Sequence, residues 1–66
     1  MKAQVNGGER EVPDGATIAD VLAELDAPTS GVAVALDGDV VPRAMFAETV
    51  LTEGAVLEVL TAVQGG

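Results

Sequence analysis

The 66-residue chain has no cysteine, histidine, tryptophan or tyrosine, and a single phenylalanine. Without cysteine there is no disulfide, no thiolate metal ligand and no thiol nucleophile. Without histidine, imidazole metal sites and histidine-based triads are excluded, and a general base could only be a carboxylate or Lys2. No metal site, no bound cofactor and no enzyme of its own is expected from so poor a reactive inventory. Basic residues are scarce as well: Lys2, Arg10 and Arg43 stand against eleven acidic residues, for a net charge of −8. Nucleic acid requires a basic footprint and is excluded as a partner. The charge suits a soluble protein steered toward a basic protein surface. Long apolar runs are missing too: none approaches the ~18 residues of a membrane span. Met1-Lys2-Ala3-Gln4-Val5 lacks the apolar core of a signal peptide, so no membrane role and a cytoplasmic location are expected.

What the chain does have is concentrated at its end. The strand-like stretch Val56-Leu57-Glu58-Val59-Leu60-Thr61-Ala62-Val63 runs straight into Gln64-Gly65-Gly66. Glycine has no Cβ, so two in succession make a tip narrow enough to enter another protein's active site. At a maximum of roughly 3.3–3.6 Å per residue, Val63 to Gly66 reaches on the order of 13 Å. The α-carboxyl of Gly66, with an ordinary pKa near ~3.5, is ionised at neutral pH. Such a carboxylate can attack the α-phosphate of ATP and become an acyl-adenylate, open to a sulfur or nitrogen nucleophile. Energy and catalytic groups would come from the partner.

The rest of the chain reads as one small α+β domain, residues 1–66, with a flexible tail at 64–66. A domain of this size buries only about 60% of the surface its unfolded chain exposes, so its core is thin. Met1, Ala3 and Val5 alternate with Lys2 and Gln4, the period-2 pattern of a half-buried strand. Asn6-Gly7 is a strong hairpin signal, and Gly8–Val12 follows as an edge strand. Asn6-Gly7-Gly8 lacks the following helix and lysine of a phosphate loop. Thr17, with Asp20 three residues on, reads as a capping box. Ile18, Val21, Leu22 and Leu25 then form one apolar stripe on a helix that Pro28 ends.

Val32–Leu36 is a strand with Val32, Val34 and Leu36 inward and Ala33 and Ala35 outward. Asp37-Gly38-Asp39 is a turn rather than a calcium loop, which needs more oxygen ligands. Val40-Val41 is a short strand. Pro42 opens a helical turn, Arg43 to about Ala47, with Met45 and Phe46 toward the core. In the last strand Leu57, Val59 and Thr61 share the inner face, while Val56, Glu58, Leu60 and Ala62 face outward. A helix-bearing connection makes the first and last strands parallel neighbours in a mixed sheet. Ala33, Ala35, Leu60 and Ala62 then form a small apolar patch on the open face, beside Gln64. Two readings stay open: a partner-docking surface, or ordinary exposed apolar area.

Val34-Ala35-Leu36-Asp37, Val40-Val41-Pro42-Arg43 with Phe46 beyond it, Glu53-Gly54 and Leu57-Glu58-Val59-Leu60 lead to Gly65-Gly66. In these segments the chain resembles the ThiS family of thiamine-pathway sulfur carriers, which have the ubiquitin-like β-grasp fold. Ala55 and Gln64 depart from the family's usual residues. The resemblance implies that a ThiF-type adenylating enzyme, using ATP and magnesium, activates Gly66. Sulfur from a cysteine desulfurase persulfide or from sulfide would then leave a thiocarboxylate. A ThiG-type thiazole synthase would take that sulfur into the thiazole ring. Gly66 is then the carrier site, Gly65 its neck, and Ala33, Ala35, Leu60, Ala62 and Gln64 the candidate docking residues. The small subunit of molybdopterin synthase shares fold and ending, although Val41-Pro42-Arg43 favours the thiamine branch. From other classes, a β-grasp binding module with an inert tail and a protein-conjugating modifier remain as alternatives. Arg43 carries no implied role beyond a salt bridge, a cap or a partner contact.

Overall fold

The computed structural model describes residues 1–27 and 31–61. The first strand, β1 (Lys2–Val5), turns Ala3 and Val5 into the core and Lys2 and Gln4 outward. Asn6 and Gly7 then take positive φ angles of 52° and 82°, and the chain returns in β2 (Gly8–Glu11). Val5 pairs directly with Gly8, so this is the tight two-residue turn that an Asn-Gly pair favours. β2 is exposed along its whole length, as expected of an edge, and the first buried residue after it is Val12.

The helix α1 (Ile18–Glu24) begins with the expected capping box. Thr17 Oγ1 accepts the Asp20 N–H at 3.2 Å, and Asp20 Oδ2 accepts the Thr17 N–H at 2.9 Å. The other two early donors, the N–H groups of Ile18 and Ala19, reach the carbonyls of Thr49 and Phe46 at 3.1 and 3.0 Å. The stretch from Phe46 to Thr49 therefore completes the helix start, a role its irregular sequence did not announce. The helix ends before Pro28, which lies outside the described residues. Asp26 takes a φ of 58°, and the N–H groups of Asp26 and Ala27 bond back to the carbonyls of Ala23 and Leu22 at 3.1 and 2.9 Å. That reversal closes the helix by itself.

The remaining strands are β3 (Val32–Leu36), β4 (Asp39–Val41) and β5 (Val56–Thr61). Sheet order is β2-β1-β5-β3-β4. β1 and β5 pair in parallel, through Gln4 with Val56 and Val5 with Leu57, and the other pairings are antiparallel. The parallel neighbours are thus the first and last strands, as their connection through a helix predicts. α1 covers the inner face, where Ile18, Val21 and Leu22 meet Val34 and Leu57 in the fully buried centre. Each such side chain contributes roughly 1.5–3 kcal/mol through burial. One helix across a mixed five-stranded sheet in this order is the β-grasp, ubiquitin-like architecture.

Three side chains depart from expectation: Met45, Thr61 and Ala35. Pro42 leads into a 3-10 turn, Arg43–Met45, in which Phe46 is buried but Met45 is 43% exposed. Successive residues on a tight turn point about a third of a revolution apart, so the two cannot both face the core. Thr61 lies on the inner side of β5 by alternation yet is exposed, because the strand outruns the core. Ala35 is half-buried rather than open, screened by its cross-strand neighbours. Among the described residues Arg43 forms no ion pair; the three present are Met1 with Glu11 and Asp14, and Lys2 with Glu9.

Candidate functional site

The open face of the sheet divides into two halves. On the β1–β2 side the outward residues are Lys2, Gln4, Glu9 and Glu11, with Lys2 Nζ 3.8 Å from Glu9 Oε1. On the β5–β3–β4 side they are Val56, Glu58, Leu60, Ala33, Ala35 and Val40. The strand register brings the apolar ones together: Ala33 sits opposite Leu60, and Ala35 lies between Glu58 and Val40. Leu60 is 69% exposed and Val40 is 78% exposed. Three of the sequence-predicted docking residues, Ala33, Ala35 and Leu60, therefore share one surface. Ala62, Gln64, Gly65 and Gly66 lie outside the described residues.

Val40 is the residue that the sequence reading left out. A signal was available. The two-residue Asp37-Gly38 turn places Leu36 opposite Asp39, so an outward Ala35 requires an outward Val40. Among the described residues Glu58 is the acidic side chain on this half of the open face. Asp37 is engaged elsewhere: its Oδ1 accepts the Val56 N–H at 3.0 Å, while its own N–H donates to the Val56 carbonyl at 2.8 Å.

The strand that leads toward the tail is held on both sides. β3 pairs with β5 as far as Thr61. On the other side lies the parallel β1 ladder, in which the Gln4 N–H donates to the Ala55 carbonyl at 2.8 Å and the Asn6 N–H to the Leu57 carbonyl at 2.9 Å. Asn6 adds two more with its side chain. Its Oδ1 accepts the Val59 N–H at 2.8 Å and its Nδ2 donates to the Val59 carbonyl at 3.2 Å.

Among the described residues no group of three or more acidic side chains could hold a metal ion, and no helix is long and apolar enough to cross a membrane. A shallow cavity of about 140 Å³ lies between Val12–Ala16 and the Asp20, Val21 and Glu24 side of α1. It opens near the start of β1, at the end of the sheet away from Thr61. The pKa of the Met1 amino group is raised, first by its hydrogen bond to Glu11, which outweighs desolvation, and further by Asp14. Among the described residues this geometry offers an exposed apolar face and a firmly paired strand that runs to Thr61.

The sequence model of the ThiS family matches residues 3–66. The chain belongs to the ThiS family. Solved relatives have the same fold. The crystal structure of the thiamine biosynthesis protein ThiS from Geobacter metallireducens is 29% identical, with a TM-score of 0.83 and full coverage of both chains. The solution structure of a thiamine biosynthesis protein from the same organism is 30% identical, with a TM-score of 0.81, covering all of this chain and 88% of that one. A thiazole synthase from Paramagnetospirillum magneticum is 32% identical over all 66 residues, and this ThiS-family chain spans 20% of its length.

Proposed function

We propose that this chain is a sulfur carrier of thiamine biosynthesis that works through the carboxylate of Gly66. The observation that carries the reading is the family match, which runs to residue 66 and so includes the diglycine. The solved relatives, named as thiamine biosynthesis proteins, support the pathway. The thiazole synthase relative supports the partner, since a segment like this chain occupies a fifth of it. It also favours the thiazole branch over the molybdenum-cofactor branch.

In this reading the Gly66 carboxylate attacks the α-phosphorus of ATP on a ThiF-type enzyme with magnesium, and pyrophosphate leaves. Sulfide then attacks the acyl carbon of the adenylate and AMP leaves, giving the thiocarboxylate. With a persulfide donor the product is an acyl disulfide, which a thiol reduces to the same thiocarboxylate. A ThiG-type thiazole synthase accepts the sulfur. Gly65 keeps the tip slender enough to enter each active site. Ala33, Ala35, Val40 and Leu60 dock the body outside, and Ala62 and Gln64 are the further docking candidates that the sequence offers. The chain is a co-substrate, and ATP and magnesium belong to its partner.

Intact mass measured after incubation with the adenylating enzyme, ATP and sulfide tests the chemistry. Replacement of one oxygen by sulfur at the C-terminus is expected, and removal of Gly65-Gly66 abolishes it. An unchanged mass with an enzyme proven competent on another carrier would refute the proposal. Val40→Asp and Leu60→Asp test the docking face. Each is expected to leave folding intact, as exposed substitutions do, and to slow adenylation at limiting carrier at least about tenfold, the loss of an interface anchor. Unaltered rates would remove the face from the reading.

A further inference from the structure

β5 meets its two neighbours differently at its exit end. In a parallel ladder, main-chain groups of β1 would continue past Asn6 and pair with Val59, whose N–H and C=O both point to that side. They do not, because Asn6 turns with a φ of 52° and the chain leaves along β2. The Asn6 carboxamide takes their place. It presents an acceptor to the Val59 N–H and a donor to the Val59 carbonyl, at 2.8 and 3.2 Å, as one further backbone amide would. Only an amide side chain offers both in that space, and only a residue tolerant of positive φ can occupy the turn. On the β1 side, Asn6 is the last described hold on β5; on the β3 side the ladder runs to Thr61.

We propose that Asn6 is a positioning residue for the carrier reaction, aiming the tail by extending the β1–β5 ladder to Val59 with its side chain. The inference rests on the sulfur-carrier reading. Pairing on both sides keeps the end of β5 in the plane of the sheet, with Thr61, its last described residue, next to the Ala33–Leu60 pair. Body and tail are then set to engage the adenylating enzyme together. With the clamp lost, the end of β5 is held on one side only, and that end of the strand must be fixed during docking. That cost weakens engagement and leaves the adenylation step unchanged once docked.

The test uses Asn6→Gly, which keeps the positive φ without strain and removes both side-chain bonds. Thr17→Ala, which removes the capping hydroxyl of α1, serves as a control for lost stability. Amide hydrogen exchange and steady-state pyrophosphate release with the adenylating enzyme are measured on the full chain, below the melting range of both variants. The expected result for Asn6→Gly is at least about tenfold faster exchange at Val59, with the KM for the carrier raised about threefold or more and kcat retained. Thr17→Ala should leave both the Val59 exchange and the KM at wild-type values. Val59 protection that survives Asn6→Gly, or a KM shared by the two variants, overturns the inference. A wild-type chain that is not adenylated refutes the functional reading instead, and the inference with it, without reference to any variant.

Discussion

Asn6-Gly7 and Asp37-Gly38 are the same turn used twice. Each reverses the chain in two residues with positive φ, 52° and 82° at the first and 51° and 90° at the second. Each sends the side chain of its first residue to the backbone of β5. The side chains differ because the groups they meet differ. At Asp37 the main-chain N–H already donates to the Val56 carbonyl, so only an acceptor is needed for the Val56 N–H, and a carboxylate provides it. At Asn6 the main-chain N–H is committed to Leu57, so Val59 needs both a donor and an acceptor, which a carboxamide supplies. The two ends of β5 also differ in reinforcement. At its start, Lys2 N–H donates to Glu53 Oε2 at 3.1 Å and Gly54 N–H to the Lys2 carbonyl at 2.8 Å, beside the Asp37 contacts. At its exit, the β1 side depends on Asn6. Among the described residues, the exit is therefore the end of the strand with fewer holds on the β1 side.

The largest effect comes from removing what both turns close upon. Leu57 is fully buried between them, and Leu57→Ala should cost about 2–5 kcal/mol, read from urea denaturation. A loss well below that would mean that β5 is not the centre of the core. The comparison sharpens on exchanging the two side chains. Asn6→Asp keeps an acceptor for the Val59 N–H but sets a carboxylate oxygen against the Val59 carbonyl, and should cost about 1–3 kcal/mol. Asp37→Asn keeps the acceptor that Val56 needs and should fall within about 0.5 kcal/mol of wild type. Equal costs for the exchange would contradict the assignment of donor and acceptor.

The smallest effect lies at the far end of β1. The Met1 amino group donates to Glu11 Oε2 at 3.1 Å, the Val12 carbonyl at 2.9 Å and Asp14 Oδ1 at 3.4 Å. Its pKa is raised in the folded state, so folding favours the protonated amine. That contribution is fully present below the unfolded value of about 8 and is lost as pH rises through the higher folded value. The urea midpoint should fall slightly between about pH 7 and about pH 9.5, and an Nα-acetylated chain should lack this component. Because the amine is at the surface, amide exchange at Val59 should not follow it, whereas a change there would show that the two ends of the sheet are coupled.

Much of this protein can be read within short windows of its sequence. The alternation of Ala3 and Val5 and of Leu57 and Val59, the stripe of Ile18, Val21 and Leu22, the Thr17–Asp20 box and the Asn-Gly and Asp-Gly turns all act over a few residues. They determined the elements and, with the helix-bearing connection, the parallel pairing of the outermost segments in sequence. Val34 to Asp37, Val41-Pro42-Arg43 and the diglycine carried the family resemblance, and the alternation placed Ala33, Ala35 and Leu60 on one face. Other features were settled only when distant segments met. The 3-10 turn chose Phe46 over Met45 for the core, β3–β4 register added Val40 to the patch, and the helix start drew on carbonyls of Phe46 and Thr49. Asn6 looks from its neighbours like a turn residue and nothing more. Its partner is 53 positions away, and hydrogen-bonding chemistry across that separation is decided by how the strands assemble, which no local rule encodes.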